Sequence, residues 1–219
     1  MAKIVVFGAG DIARLAHFYF THDSPHEVVG FVVDREFRQS ESFLELPLVD
    51  AEEVSRRFPP ADYHMFVALS YANMNDLRAS KYAAMKAAGY RFVSYISTHC
   101  TYLSHNAPGE NCFILEDNTV QPFVTIGNNV TLWSGNHIGH DVTIEDHCFI
   151  SSHVVLSGHV HVGERCFIGV NATLRNSITI APRTLIGAGA VVMKDTKPKD
   201  VYIAPRTERF KKSSDEIDL

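Results

Sequence analysis

The chain has 219 residues, with 20 Lys and Arg against 25 Asp and Glu and a formal charge of -5. That length allows one domain or two small ones, and a mildly acidic chain with no long basic block is not expected to bind nucleic acid. No apolar run reaches the roughly 20 residues of a membrane span, the start lacks the pattern of a signal peptide, and the four cysteines form no CxxC pair, so a cytoplasmic protein without a zinc knuckle is expected.

Lys3 to Phe7 reads as a short strand, followed by the turn Gly8-Ala9-Gly10-Asp11-Ile12-Ala13 and helical spacing from Arg14 to Phe20. Glycines belong where backbone bends sharply and approaches a ligand, and the helix start then offers free N–H groups to an anion. A second strand, Val28 to Val33, ends in Asp34-Arg35, placed to meet a ribose hydroxyl or a base edge. A third, His64 to Leu69, ends at Ser70-Tyr71, and a helix carrying Leu77, Tyr82, Met85 and Ala88 stops at Gly89. Residues 1–96 are therefore expected to form a Rossmann-like α/β module, with Gly8, Gly10, Asp11, Asp34, Arg35 and Ser70 at a nucleotide site. As a full dinucleotide fingerprint the GxGxxA turn would predict an NAD-linked dehydrogenase, but only about 90 residues precede the next feature, half of such a domain. A mononucleotide-linked ligand suits the size better, and a turn that binds nothing is the plain alternative. Strand Arg91 to Ile96 leaves the module, and residues 97–113, interrupted by Pro108, read as a linker or irregular first coil.

From Ile114 to Val192 every sixth residue is Ile, Leu or Val, without exception. A six-residue period fits neither a helix nor an ordinary strand and is a signature of the parallel β-helix. The fourth residue after each aliphatic is often small or apolar as well, which places two inward residues in each hexapeptide. Three hexapeptides make an 18-residue coil, which would stack Cys148 and Cys166 on adjacent rungs as small fillers about 4.8 Å apart. Gly127, Gly139, Gly163, Gly169 and Gly187 follow the aliphatic directly and are expected at corners that need a positive φ. The coil is expected to run over 114–206, with a polar tail over 207–219. Trp133 points outward, either to a subunit interface or onto its own chain.

Six histidines, His137, His140, His147, His153, His159 and His161, fall within the repeat. They occupy several phases and hence different faces or corners, so they are not expected to converge on a metal. A histidine beside a carboxylate, as in His140-Asp141, suits a different task, because imidazole accepts a proton near neutrality and a carboxylate fixes its tautomer.

The hexapeptide register, the GAGDIA turn, the segment Gly135-Asn136-His137-Ile138-Gly139-His140-Asp141 and the ending Ile203-Ala204-Pro205 together resemble the left-handed β-helix sugar acyltransferases, of the sialic acid O-acetyltransferase and nucleotide-amino-sugar N-acetyltransferase kind. The resemblance implies an α/β Rossmann-like module followed by an all-β left-handed parallel β-helix. It implies transfer of an acetyl group from acetyl-coenzyme A to a nucleotide-linked sugar, the amine being preferred over the hydroxyl as acceptor. His140 would be the general base and Asp141 its orienting carboxylate, with acetyl-CoA running near Gly158, Val170 and Ala188 and no metal required. A homotrimer is implied, with active sites between subunits. One position departs from the family: Phe149 stands where the amino-sugar branch can have a second histidine, so His147 or His153 would have to substitute. Outside this family, the rival reading is a non-catalytic trimeric scaffold that senses a nucleotide.

Overall fold

The computed structural model describes residues 1–217. The α/β module contains strands β1 (Lys3–Phe7), β2 (Glu27–Val33), β3 (Ser42–Phe43), β4 (Leu46–Asp50), β5 (His64–Val67) and β6 (Arg91–Phe92), in the spatial order β3-β4-β2-β1-β5-β6. All pairs are parallel except β3 with β4. Alternation along β1 decides the layers: Ile4 and Val6 face a cluster with helix α1 (Asp11–His22), and Val5 and Phe7 face one with helices α2 (Val54–Arg57) and α3 (Asp76–Ala87). In α1 the buried residues Ala13, Ala16 and Phe20 make one stripe. The chain leaves β1 toward β2 and later returns to β5 on the other side of β1, so a crevice opens at the carboxyl ends of β1 and β5.

Residues 95–202 wind into a three-sided left-handed parallel β-helix. The first face stacks Tyr95–Ile96, Phe113–Ile114, Thr131–Leu132, Phe149–Ile150, Phe167–Ile168, Leu185–Ile186 and Val201–Tyr202. The second runs from Thr101–Tyr102 to Val191–Val192 and the third from Thr125–Ile126 to Thr179–Ile180. Each strand pairs with the residue 18 positions on, as in His137 with Val155, until the last coil, where Leu185 pairs with Val201. The strand anticipated over Arg91 to Ile96 therefore divides between the two domains. All the aliphatics of the six-residue register are buried. Where the second inward position is polar it is satisfied: Asn118 and Asn136 stack, and the Asn136 backbone N–H donates to Asn118 Oδ1 at 3.3 Å.

The glycines do something other than expected. At the corners the left-handed conformation falls two residues later, on Asp117, Phe123, Asn129, Asp141, His147, His153, His159, Arg165, Asn171, Ser177 and Arg183, a series rich in the short polar residues that tolerate it. Gly139 and Gly169 are instead needed for the close approach of coils: a Cβ would lie 2.7 Å from the Gly158 nitrogen and 2.6 Å from the Ala188 nitrogen.

The module docks on the first face, where Phe113 joins its core and Tyr71 packs 5.0 Å from Phe149 and 4.7 Å from Phe167. Trp133 lies in the same seam, stacked 5.9 Å from Phe149, and so packs on its own chain. The start of α3 grips four successive rungs of one corner. Arg78 donates to the carbonyls of Asn129 and His147, Asn75 to the carbonyl of Arg165 at 3.3 Å, and Asp76 pairs with Arg183 at 2.7 Å. Arg78 is fully buried and faces carbonyl and amide oxygens rather than a carboxylate.

Candidate functional site

Two regions gather the candidate site residues. The first is the crevice of the module. Gly8 has φ +132, and a Cβ there would sit 2.7 Å from the Ala68 carbonyl, so both backbone and packing require glycine. Gly10 differs, because a Cβ on it would meet nothing within 4 Å. The open space above it continues into a cavity of about 320 Å³ lined by Phe7, Gly8, Val33, Asp34 and Lys81. Here Asp34 accepts from Lys81 Nζ at 2.7 Å, presenting an acceptor and a donor side by side above an apolar floor. A second cavity of about 540 Å³ shares Gly10 and adds Asp11, Ser70 and Tyr71. Five of the six expected residues thus line one continuous crevice. Arg35 does not: its guanidinium is drawn away to Asp50 at 3.3 Å and Glu52 at 2.7 Å, beside a separate depression. Lys81 was not anticipated, although it lies one helical turn beyond Leu77, which lines the same cavity.

The second region is the corner between the second and third faces. The Gly139 turn sets His140 on the rim, and the His140 backbone N–H donates to Gln121 Oε1 at 2.8 Å. His140 Nδ1 lies 2.9 Å from Asp141 Oδ2. A carboxylate only accepts, so Nδ1 carries the proton and the lone pair is on Nε2. Asp141 is one of the left-handed corner residues, with φ 58, and this conformation folds its side chain back to the preceding ring. Gly158, one rung on, lies over that ring, and a Cβ on it would be 2.7 Å from His140 Nε2. Among the described residues nothing accepts from the Gly158 backbone N–H. The corner therefore offers a proton acceptor with an unused N–H donor one rung away. His159 shares the corner, its ring 4.9 Å from that of His140. Two of the six histidines therefore converge, against the expectation that they would scatter.

Val170 and Ala188 are exposed, but on the corner between the first and second faces, where the Gly189 N–H donates to the Val170 carbonyl at 2.8 Å. Within one chain they are separated from His140 and Gly158 by the width of the second face. Phe149 is buried in the seam with the module. His147 is half-buried there, 5.7 Å from the Tyr82 ring, and burial lowers its pKa. His153 stands on the Val170 corner, its ring against Gly135. Neither histidine shares the corner of His140.

Residues 124–158 and 159–194 match the family described as bacterial transferase hexapeptide (six repeats). No curated protein sequence matches the chain. Among solved structures, the acetyltransferase domain of PglB from Neisseria gonorrhoeae is 21% identical over 92% of this chain and 96% of its own, with a TM-score of 0.80. PerB from Caulobacter crescentus, in complex with CoA and GDP-perosamine, is 22% identical over 92% and 93%, with a TM-score of 0.77. WeeI from Acinetobacter baumannii is 18% identical over 92% and 96%, with a TM-score of 0.76. The chain thus has the fold of these structures over nearly its whole length, and its 124–194 segment carries the bacterial transferase hexapeptide repeat.

Proposed function

We propose that the protein transfers an acetyl group from acetyl-coenzyme A to the amino group of a nucleotide-linked sugar. The observation that carries this is the His140–Asp141 pair, with Nε2 open beneath a glycine and an unused backbone N–H one rung away. His140 Nε2 takes the amine proton as the nitrogen attacks the thioester carbonyl. The oxyanion of the tetrahedral intermediate accepts from the Gly158 N–H. Collapse breaks the C–S bond, and the imidazolium returns its proton to the departing thiolate. Asp141 holds the tautomer throughout and stabilises the imidazolium. Gly8, Gly10, Asp11, Asp34 and Ser70 hold the nucleotide, with Lys81 as an added partner of Asp34.

A homotrimer completes the site. The module occupies the first face, whereas His140 lies on the opposite corner of the same prism, so its own crevice cannot present a sugar to it. Exposed apolar residues Leu103, Phe123, Val170, Val191 and Met193 lie on the second face and its two bordering corners. Packing that face about a threefold axis sets one bordering corner of each chain beside the other corner of its neighbour. Val170 and Ala188 of one chain then join His140 and Gly158 of the next in a single cleft for coenzyme A. The ligands bound by PerB, CoA and GDP-perosamine, fit this arrangement. No helix of the described residues is long and apolar enough to cross a membrane, and we place the protein in the cytoplasm, where acetyl-coenzyme A is made and used.

The test is thiol release from acetyl-coenzyme A with a panel of nucleotide-linked amino sugars and their hydroxyl counterparts, for wild type and His140→Ala. Release that requires an amino acceptor and disappears in the variant supports the reading. Release with hydroxyl acceptors alone moves the assignment to O-acetylation, and full activity of His140→Ala removes the base.

A further inference from the structure

Beside the catalytic pair stands His159, for which the transfer reaction has no use. Its Nε2 is 4.0 Å from the same Asp141 oxygen that His140 Nδ1 approaches at 2.9 Å. One ring nitrogen from each histidine and one carboxylate oxygen all lie within 4.8 Å of one another. The ligand atoms of a tetrahedral zinc stand about 3.3 Å apart, given bonds of about 2.0 Å, and the observed separations bracket that value. In the single chain the side chains of His140, Asp141 and His159 are 54%, 41% and 58% exposed, and the corner they share opens into the cleft proposed above for coenzyme A. Two neutral imidazoles and a carboxylate suit zinc or a similar borderline cation better than magnesium or calcium, which prefer oxygen throughout.

The arrangement comes from the coil itself. His159 follows Asp141 by one rung at the left-handed corner position, and Gly158 keeps the space over the His140 ring free of a side chain. We infer that His140 Nδ1, Asp141 Oδ2 and His159 Nε2 form a binding site for a zinc-class divalent cation, and that filling it switches acetyl transfer off. The second part rests on the function proposed above.

The inhibition follows from proton placement. In the working enzyme the His140 proton is on Nδ1, donated to Asp141, and Nε2 is free to accept. A cation bound at Nδ1 displaces that proton, which moves to Nε2 in the neutral ring. The base then points an N–H at the incoming amine, and Asp141 is engaged with the cation. No net proton is released, and no bond of the substrates changes.

The experiment is calorimetric titration of metal-free protein with zinc chloride, for wild type and His159→Gln, with thiol release measured in parallel under the same zinc. Wild type is expected to bind one more zinc per chain than His159→Gln and to lose turnover as that site fills, with recovery on adding EDTA. His159→Gln is expected to keep its turnover without zinc and to require at least tenfold more zinc for inhibition. Equal binding by the two proteins overturns the site, and equal zinc sensitivity of their turnover overturns the switch. If the protein transfers no acetyl group at all, the calorimetric difference still decides the site, so the two readings fail separately.

Discussion

Replacing Gly158 by Ala tests the geometry of the proposed base, His140, most directly. The added Cβ would stand 2.7 Å from His140 Nε2 and 2.8 Å from Cε1, about 0.7 Å inside the 3.4 Å where ordinary contact begins. The ring must give way, because the Cβ is fixed to backbone whose carbonyl already accepts from Ser177 at 3.0 Å. Moving the ring by that amount lengthens the 2.9 Å contact with Asp141 and turns Nε2 away from the incoming amine. Misplacement on the order of 1 Å costs about 100-fold in rate, so kcat for thiol release should fall by about that factor. Stability should hold or rise slightly, by about 0.5 kcal/mol, because Gly158 is not in the left-handed region and Ala can adopt its backbone. Single-turnover kinetics, calorimetric binding of coenzyme A and thermal melting separate these effects. A Gly158→Ala enzyme with more than half of wild-type kcat and an unchanged melting curve would refute the placement of Nε2 as the reacting atom.

Arg78→Met should destabilise the union of the two domains. It strands the carbonyls of Asn129, His147 and Cys148 in a dry seam, at a combined cost of about 3 kcal/mol, and a urea midpoint within about 0.3 M of wild type would count against it. The Asp23 carboxyl is held at about 2, against an ordinary 3.8: burial alone would raise it, but hydrogen bonds from Thr98, Tyr95 and Ser97 outweigh that. Because its folded pKa is depressed, its contribution is present above pH 3.8 and is lost as pH falls toward 2, so Asp23→Asn should flatten the fall in stability over that window, as read by acid titration of the unfolding midpoint. Lys81→Met should weaken binding of the nucleotide-linked sugar about tenfold and leave coenzyme A binding unchanged by calorimetry, and equal loss of both would contradict two separate sites.

Much of this molecule is legible from its sequence, and the illegible parts share a cause. The aliphatic register from Ile114 to Val192 points inward at every position because a coil of three hexapeptides leaves each of those residues a single environment. The proximity of Gly158 to His140 follows from the same arithmetic, since 18 residues return the chain to the same corner. The role of the corner glycines does not: whether a glycine serves φ or a neighbouring coil depends on which atom of the next rung lies above it, as the Gly158 nitrogen lies above Gly139. Arg35 and Lys81 illustrate the second limit. Both are long cations near the ends of elements, and only the fold puts Glu52 beside one and Asp34 beside the other. The seam was hidden for the same reason, because an arginine inside a helix gives no sign that it will cap the carbonyls of a coil 51 residues away.

The grip of α3 on the column Asn129, His147, Arg165 and Arg183 makes the chain a ruler with one graduation. Length can be added or removed between those anchors only in whole turns of 18 residues, since a change of six or twelve would carry the later anchors to another corner and a change out of the six-residue period would rotate the inward aliphatics out of the core. Each whole turn moves everything beyond it by a single step of about 4.8 Å along the axis. The separation between a module and the His140 corner is therefore inherited in discrete steps. Fine adjustment to a longer or shorter substrate must come from side chains in the crevice, not from the coil, so acceptor selectivity should be sought among residues such as Asp34, Ser70 and Lys81.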